Sequence, residues 1–286
     1  MNLEQDFKAK VILASASKDD PRLPPLITVQ LRYPRFIHSE LMTHRVFSRN
    51  ARSSRAVPVK TLINEEAYLP HFLMNQPGMQ AFEEFTPEEL TEIEQGWLDF
   101  AEKTRDFVRW LNEKKVHKQW ANRPLEWFGY IDTLVTATDW DNWFGLRDHP
   151  DAAPEIQFLA KQMKKEFERV FSGEKTGELQ WLGEGQWHFP YILATEKILG
   201  LQDQLELSVA RCARVSYSPF DGNASVEKER ERYLKLKNAN PLHASPFEHQ
   251  AKHVGKQHSI FDEDEYVRSN LAFPWLQYRK LIEKNI

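Results

Sequence analysis

The chain has 286 residues, of which 41% are hydrophobic and 12% aromatic, and its formal net charge at pH 7 is −4. Such a chain buries a sizeable core in one large domain or two modest ones. No apolar run approaches the ~20 residues that cross a bilayer, and the N-terminus lacks the basic-then-apolar form of a secretion signal, so the expectation is a folded cytoplasmic protein.

Leu26 to Tyr33 alternates Ile27, Val29, Leu31 and Tyr33 with polar partners, the two-residue period of a half-buried strand, which Pro34 ends. Next comes a knot of positive charge. Between Leu31 and Lys60 the cations are Arg32, Arg35, Arg45, Arg49, Arg52, Arg55 and Lys60, against the single carboxylate of Glu40. His44, Arg45, Ser48, Arg52 and Arg55 recur at three- and four-residue steps, which predicts a helix with these residues along one side. Ser53 and Ser54 suit its end. Guanidinium forks match phosphate, so this segment is a candidate nucleotide or phosphate site. A solvated, acid-paired face is the alternative.

Thr86-Pro87-Glu88-Glu89 supplies an N-cap, a first-turn proline and a capping-box glutamate. The helix it opens is expected to reach about Lys115, with Leu90, Ile93, Trp97, Phe100, Phe107 and Leu111 inward. A second helical region is expected from Val116 to Leu146, and a third from Pro154 to Val170 with its stop at Gly173. Residues 173–204 open on a Gly- and Trp-rich connection that reads as a loop or irregular hairpin. Helices are then expected around Leu205–Arg214 and Val226–Leu236, with a terminal helix ending Tyr278-Arg279-Lys280.

Cys212, the only cysteine, excludes intrachain disulfides and cysteine-ligated zinc, and among Val209, Ala210 and Ala213 it reads as a buried structural thiol. His243, His249, His253 and His258 lack metal-site spacing, and no HExxH is present, so no metal site is expected. Neither a Walker loop nor GxGxxG occurs, so any nucleotide is held by another scheme.

Three blocks of sequence resemble the flavin-dependent thymidylate synthases. His44, Arg45, Ser48, Asn50, Ser53 and Arg55 keep the register of that family's Arg-His-Arg signature, and Ile27 to Ile37 is similar to the strand before it. Thr138 to Arg147, followed by His149 to Ile156, resembles the family's later helix. Ala213-Arg214-Val215-Ser216-Tyr217 and Ser245-Pro246-Phe247-Glu248-His249 resemble two flavin-binding motifs that precede the signature in the family but follow it here, as in a circular permutation. The sequence departs from the family at Thr43, in place of the first Arg, at Ala51, in place of Glu, and at Glu40, where Gln is usual. Thr136 and Thr138 stand where Asn and Arg contact flavin.

The resemblance implies an α+β fold with a mixed sheet and long helices, in one domain over residues 1–286, divided as 1–172, 173–204 and 205–286. It implies transfer of a one-carbon unit from methylene-tetrahydrofolate to C5 of a deoxypyrimidine monophosphate, dUMP first, with FAD as cofactor and NADPH as reductant, giving dTMP in a homotetramer. It maps Arg147 and Ser53 as catalytic, and Glu40, Ser53, Ser54, Arg55 and Arg147 as substrate-binding, with Ser53 a phosphate and ring contact rather than a nucleophile. His44, Arg45, Asn50, Asn142, Ser216 and His249 map to flavin. Arg49, Arg52, Lys118 and Arg123 are candidate replacements for phosphate contacts. Hydroxymethylation of dUMP or dCMP is the alternative: water in place of hydride attacks the methylene intermediate, and cytosine enters because Glu40 accepts a hydrogen bond from an amino group where Gln donates one. A non-catalytic nucleotide or nucleic-acid binder is the alternative of another class; nucleic acid is disfavoured by a pI of about 6.2 and few aromatics among the arginines.

Overall fold

The computed structural model describes residues 7–173, 177–215, 225–255 and 269–283. From the N-terminus the elements are β1 (Lys8–Ser17), β2 (Leu26–Pro34), α1 (His38–Met42), β3 (Ser48–Ala51), α2 (Val59–Ile63), α3 (Pro87–Glu113), α4 (Lys118–Ala121) and β4 (Tyr130–Ala137). They continue with α5 (Asp141–Arg147), α6 (Pro154–Phe171), β5 (Leu179–Leu182), β6 (Trp187–His188), α7 (Leu201–Arg214), α8 (Val226–Lys237), β7 (Ala251–His253), β8 (Trp275–Gln277) and α9 (Tyr278–Glu283).

Five strands form the main sheet in the order β3-β4-β2-β1-β5, antiparallel except for the parallel β1–β5 pair, so the sheet is mixed as expected. β6, β7 and β8 form a small antiparallel sheet. The principal core lies between the main sheet and α5 and α6, where Val29, Leu31, Ile131, Val135, Trp143, Ile156, Leu159 and Met163 are buried. Glu166 of α6 accepts a hydrogen bond from the backbone N–H of Val11 on β1.

Several expectations are corrected. The arginine-rich segment is not a helix: α1 stops at Met42, a turn follows, and Ser48–Ala51 pairs with β4 as an edge strand. Its backbone N–H and C=O groups find ladder partners there, which outweighs the weak strand preference of Ser-Arg-Asn-Ala. The helical region expected from Val116 to Leu146 contains a central strand. Tyr130–Ala137 is flanked by β2 and β3, is buried on both faces, and leaves only the short α4 and α5 as helices on either side.

α3 forms where expected, with its capping box complete: Thr86 Oγ1 accepts from the Glu89 N–H, and the Glu89 carboxylate accepts from the Thr86 N–H. Its buried line, however, is Ala101 and Val108, while Phe100 is 60% and Phe107 49% exposed. Trp97 and Leu111 pack inward as expected, Trp97 donating to the Tyr68 carbonyl, while Ala101 and Val108 take the places expected of Phe100 and Phe107 where α3 packs against α2, α4 and the 3-10 turn Arg123–Trp127. α6 matches its expected bounds, and Gly173 follows at φ +80° as the left-handed stop. The Gly/Trp connection supplies β5 and β6, which pair with different sheets rather than with each other. The terminal helix begins at Tyr278 instead of ending there.

Candidate active site

β2 leads through a 3-10 turn at Arg35–Ile37 into α1, and α5 lies over that junction with Arg147 as its last residue. Each nitrogen of the Arg147 guanidinium has a partner there. Nη1 donates to Glu40 Oε2 at 3.1 Å and Nη2 to Thr43 Oγ1 at 3.2 Å, while Nε donates to His44 Nε2 at 3.1 Å. His44 is therefore neutral, with its hydrogen on Nδ1, and Asn142, one turn earlier on α5, hydrogen-bonds to the same ring. Burial and then the Arg147 charge hold the imidazole below its ordinary range. Burial pushes the Glu40 carboxyl up, opposed by Arg147.

Thr43 gains a reason from this geometry. Its hydroxyl donates to the Glu40 carbonyl at 2.6 Å and accepts from Arg147. An arginine at position 43 would set a second cation against the first, so the departure and the Arg147 clamp suit one another.

Asn50 on β3 ties the two ends of the sequence together. Its Nδ2 donates to the carbonyls of Cys212 at 2.7 Å and Ala213 at 3.3 Å, in the last turn of α7, and its Oδ1 accepts from Ser245 Oγ at 3.2 Å. The last carbonyls of a helix have no partner within it, and Asn50 supplies the missing donor. Ser48, two residues earlier on the same strand face, accepts from Asn270 and Gln277 at 2.8 and 2.9 Å. Asn50 thus meets the first residue of each of the two later motifs, Ala213 and Ser245. Ser216 lies outside the described residues. Cys212 is fully buried, and burial pushes its thiol up, as expected of a structural cysteine.

Most of the cationic knot is neutralised within the protein. Arg32 and Arg52 share Asp132 at 3.2 Å, Arg52 also meets Glu65 at 2.8 Å, and Arg35 meets Glu126 at 3.2 Å. Arg49 donates to the carbonyls of Met42 and His44. Lys118 donates to the Ala56 carbonyl and Arg123 pairs with Glu126, so Arg49, Arg52, Lys118 and Arg123 are all engaged as internal ties. Ser54 is buried and donates to Glu126 at 2.5 Å, away from solvent. Ser53, Arg45 and Arg55 are exposed, and among the described residues neither arginine has an ion pair.

His249 is fully buried, its Nδ1 2.8 Å from Thr136 Oγ1 and its Nε2 without a partner among the described residues. His188, absent from every motif in the sequence, is equally buried between Ser15 and Thr28. A histidine in a two-residue strand after a Gly-rich stretch carries no sequence signal. Thr138 Oγ1 accepts from the Ala272 N–H at 2.9 Å, so it braces a backbone. Among the described residues no group of three His, Cys, Asp or Glu is arranged to hold a metal, and no helix is long and apolar enough to cross a membrane.

Burial pushes both His188 and His249 down to about 3. An unfolded histidine titrates near 6.5, so from about pH 6.5 down to about 3 the unfolded chain binds protons that the native one refuses. Stability is full above that window and falls as pH falls through it, by up to about 1.4 kcal/mol per pH unit for each histidine. Urea midpoints measured at pH 7.5 and 5.5 are expected to show the drop; an unchanged midpoint contradicts neutral burial.

Residues 24–171, just over half of the chain, match the family described as Thymidylate synthase complementing protein. Among solved structures, that of a UMP/dUMP methylase, PolB, from Streptomyces cacaoi bound with 5-Br UMP is similar at 18% identity and a TM-score of 0.51, over 58% of this chain and 90% of that one. The PolB structure bound with 5-Br dUMP gives 17% identity and a TM-score of 0.45, over 58% and 91% of the two chains. A search of curated proteins finds no match. The first likeness shows a common fold, and the family match covers β2, the Arg147 clamp and α6. The chain belongs to the thymidylate synthase complementing protein family, the flavin-dependent thymidylate synthases, and is an enzyme of that methyl- or hydroxymethyltransferase kind.

Proposed function

We propose that the enzyme transfers a one-carbon unit from methylene-tetrahydrofolate to C5 of dUMP, giving dTMP in the cytoplasm, with FAD as cofactor and NADPH as its reductant. The observation that supports this reading best is the Asn50 cluster. Asn50, within the segment from Thr43 to Arg55, is hydrogen-bonded to Ala213 and Ser245, the first residues of the two motifs that follow the signature in this chain.

In this reading Arg147 is the catalytic residue. Its guanidinium, fixed from three sides, stabilises negative charge that develops on the pyrimidine ring as C5 attacks the one-carbon unit. Arg55 and Ser53, both exposed, take the nucleotide phosphate. Ser54, turned toward Glu126, shapes the loop behind them. The flavin contacts are His249, through its unpartnered Nε2, together with the exposed Arg45 and Asn142. His44 and Asn50 have their nitrogens engaged within the chain, so they position the site rather than touch the cofactor. When bound, reduced FAD would supply the hydride that completes the methyl group. A homotetramer is proposed as well, supported by exposed Phe100, Phe107 and Trp110 along α3.

Incubation of the purified protein with FAD, dUMP and methylene-tetrahydrofolate, with and without NADPH, tests the reading by product mass. The expected product is heavier than dUMP by one CH2; a gain of CH2O identifies hydroxymethylation. A colourless protein that takes up no FAD and forms neither product overturns it.

Glu40 favours a second reading, dCMP as substrate. One of its carboxylate oxygens is bound to Arg147, and an ionised carboxylate accepts from the amino group of cytosine where uracil offers none. On this reading Glu40→Gln is expected to shift the ratio of kcat/KM values toward dUMP by about ten- to a hundredfold, the loss of one hydrogen bond to a charged group. An unchanged ratio removes the dCMP reading.

A further inference from the structure

A continuous thread of hydrogen bonds crosses the main sheet and ends at His249. Gln180 on β5 donates from Nε2 to Ser15 Oγ at 2.9 Å, and Ser15 Oγ lies 2.7 Å from His188 Nδ1. His188 Nε2 is 2.8 Å from Thr28 Oγ1, Thr28 is 2.7 Å from Thr136 Oγ1, and Thr136 is 2.8 Å from His249 Nδ1. Ser15, Thr28, Thr136, His188 and His249 are all 0% exposed. Gln180 is half-buried, in the wall of a cavity of about 440 Å³ beside β1.

We propose that this thread fixes the tautomer of His249, with His188 as the positioning residue that passes the order across the sheet, so that His249 presents an Nε2–H donor to its ligand. The hydrogens decide the direction. Gln180 donates to Ser15, so the Ser15 hydrogen goes to its other partner, His188 Nδ1. A neutral His188 then carries its hydrogen on Nε2 and donates to Thr28. Thr28 donates to Thr136, and Thr136 to His249 Nδ1, which leaves the His249 hydrogen on Nε2. Each direction leaves one buried hydrogen without an acceptor among the described residues of the free protein, that of His249 Nε2 or that of Ser15, but the reverse direction also leaves the His249 Nε2 lone pair unmet and is the costlier arrangement. Burial keeps both imidazoles neutral, so no charge travels along the thread. Its members set orientation only.

Thr136 acquires a function in this arrangement. A hydroxyl accepts and donates through one atom, which a relay requires. The group that His249 recognises is then a hydrogen-bond acceptor, a carbonyl or phosphate oxygen. That it belongs to FAD rests on the functional reading above; the tautomer does not.

The test is two-bond 1H–15N correlation on FAD-free, histidine-labelled full-length protein, which distinguishes Nε2–H from Nδ1–H rings. His188 and His249 are both expected as Nε2–H. Gln180→Glu, at a half-buried position, replaces a donor with an acceptor, takes the Ser15 hydrogen, and is expected to convert both rings to Nδ1–H. His188→Gln offers an acceptor and a donor in the same order and is expected to preserve the His249 tautomer, whereas His188→Leu loses it. A merely structural role moves the melting temperature and leaves the tautomers alone. His249 found as Nδ1–H in the native chain, or unchanged in folded Gln180→Glu, overturns the proposal. FAD titration of the same proteins separates the two readings: a tautomer that inverts with FAD affinity unchanged from the native protein, or in a protein whose native form takes up no FAD, upholds the thread and refutes the cofactor assignment, while an inversion that weakens FAD binding by about tenfold supports both.

Discussion

Arg147→Ala is expected to lower kcat by about 10²–10³-fold in a protein that remains folded, the scale set by removing one preorganised donor from a developing negative charge. Three partners hold this guanidinium: the Glu40 carboxylate, the Thr43 hydroxyl and the His44 ring. None is a deep core residue of the sheet, and Arg147 is itself the last residue of a short helix, so its removal leaves the core between the sheet and α6 intact. The loss should fall on kcat more than on KM, because the charge it answers exists only in the transition state. Steady-state kinetics on dUMP and dCMP, beside a circular dichroism melt, make the measurement. A folded variant with native turnover removes Arg147 from the catalytic role.

Asn50→Ala is expected to cost about 2–4 kcal/mol of stability, from three hydrogen bonds lost and two carbonyls at the end of α7 left without their side-chain donor. Asn50→Asp should be worse than alanine. A carboxylate in that place faces two carbonyl oxygens with no hydrogen to give, and it adds charge near the negative end of the α7 dipole. Urea unfolding of the three proteins gives the order, and on the proposed function FAD titration weakens alongside, since β3 no longer holds the end of α7 and Ser245. A loss below about 0.5 kcal/mol for Asn50→Ala contradicts the role assigned to this amide.

The sequence revealed elements whose signals are local. β2 shows its two-residue period because one face is less buried than the other, and α3 and α6 carry their caps and first-turn prolines with them. β4 was illegible for the opposite reason: at the middle of the sheet Leu134, Val135, Thr136 and Ala137 are all buried, so alternation vanishes. β3 reads as helix because the spacing of His44, Arg45 and Ser48 mimics one, and only the ladder with β4 overrides it. Motif resemblance pointed to Arg147, Glu40, His44 and Asn142, and the fold brings these four together. It gave no sign that Thr43 completes the clamp or that Arg49 and Arg52 serve as internal ties, because pairings depend on which acids the chain returns to the same place. His188 was invisible for that reason too.

The long reach of Asn50 also sets an order in time. Its first acceptor lies 162 residues further along the chain, which at about 5–20 residues per second takes the ribosome roughly 10–30 s to add. During that interval β4 and α6 are added to β1, β2 and β3, while the Asn50 amide waits for Cys212 and the Thr28 hydroxyl for His188. Closing so large a loop is slow relative to local pairing. The Asn50 cluster therefore forms only after the C-terminal third of the chain has been made.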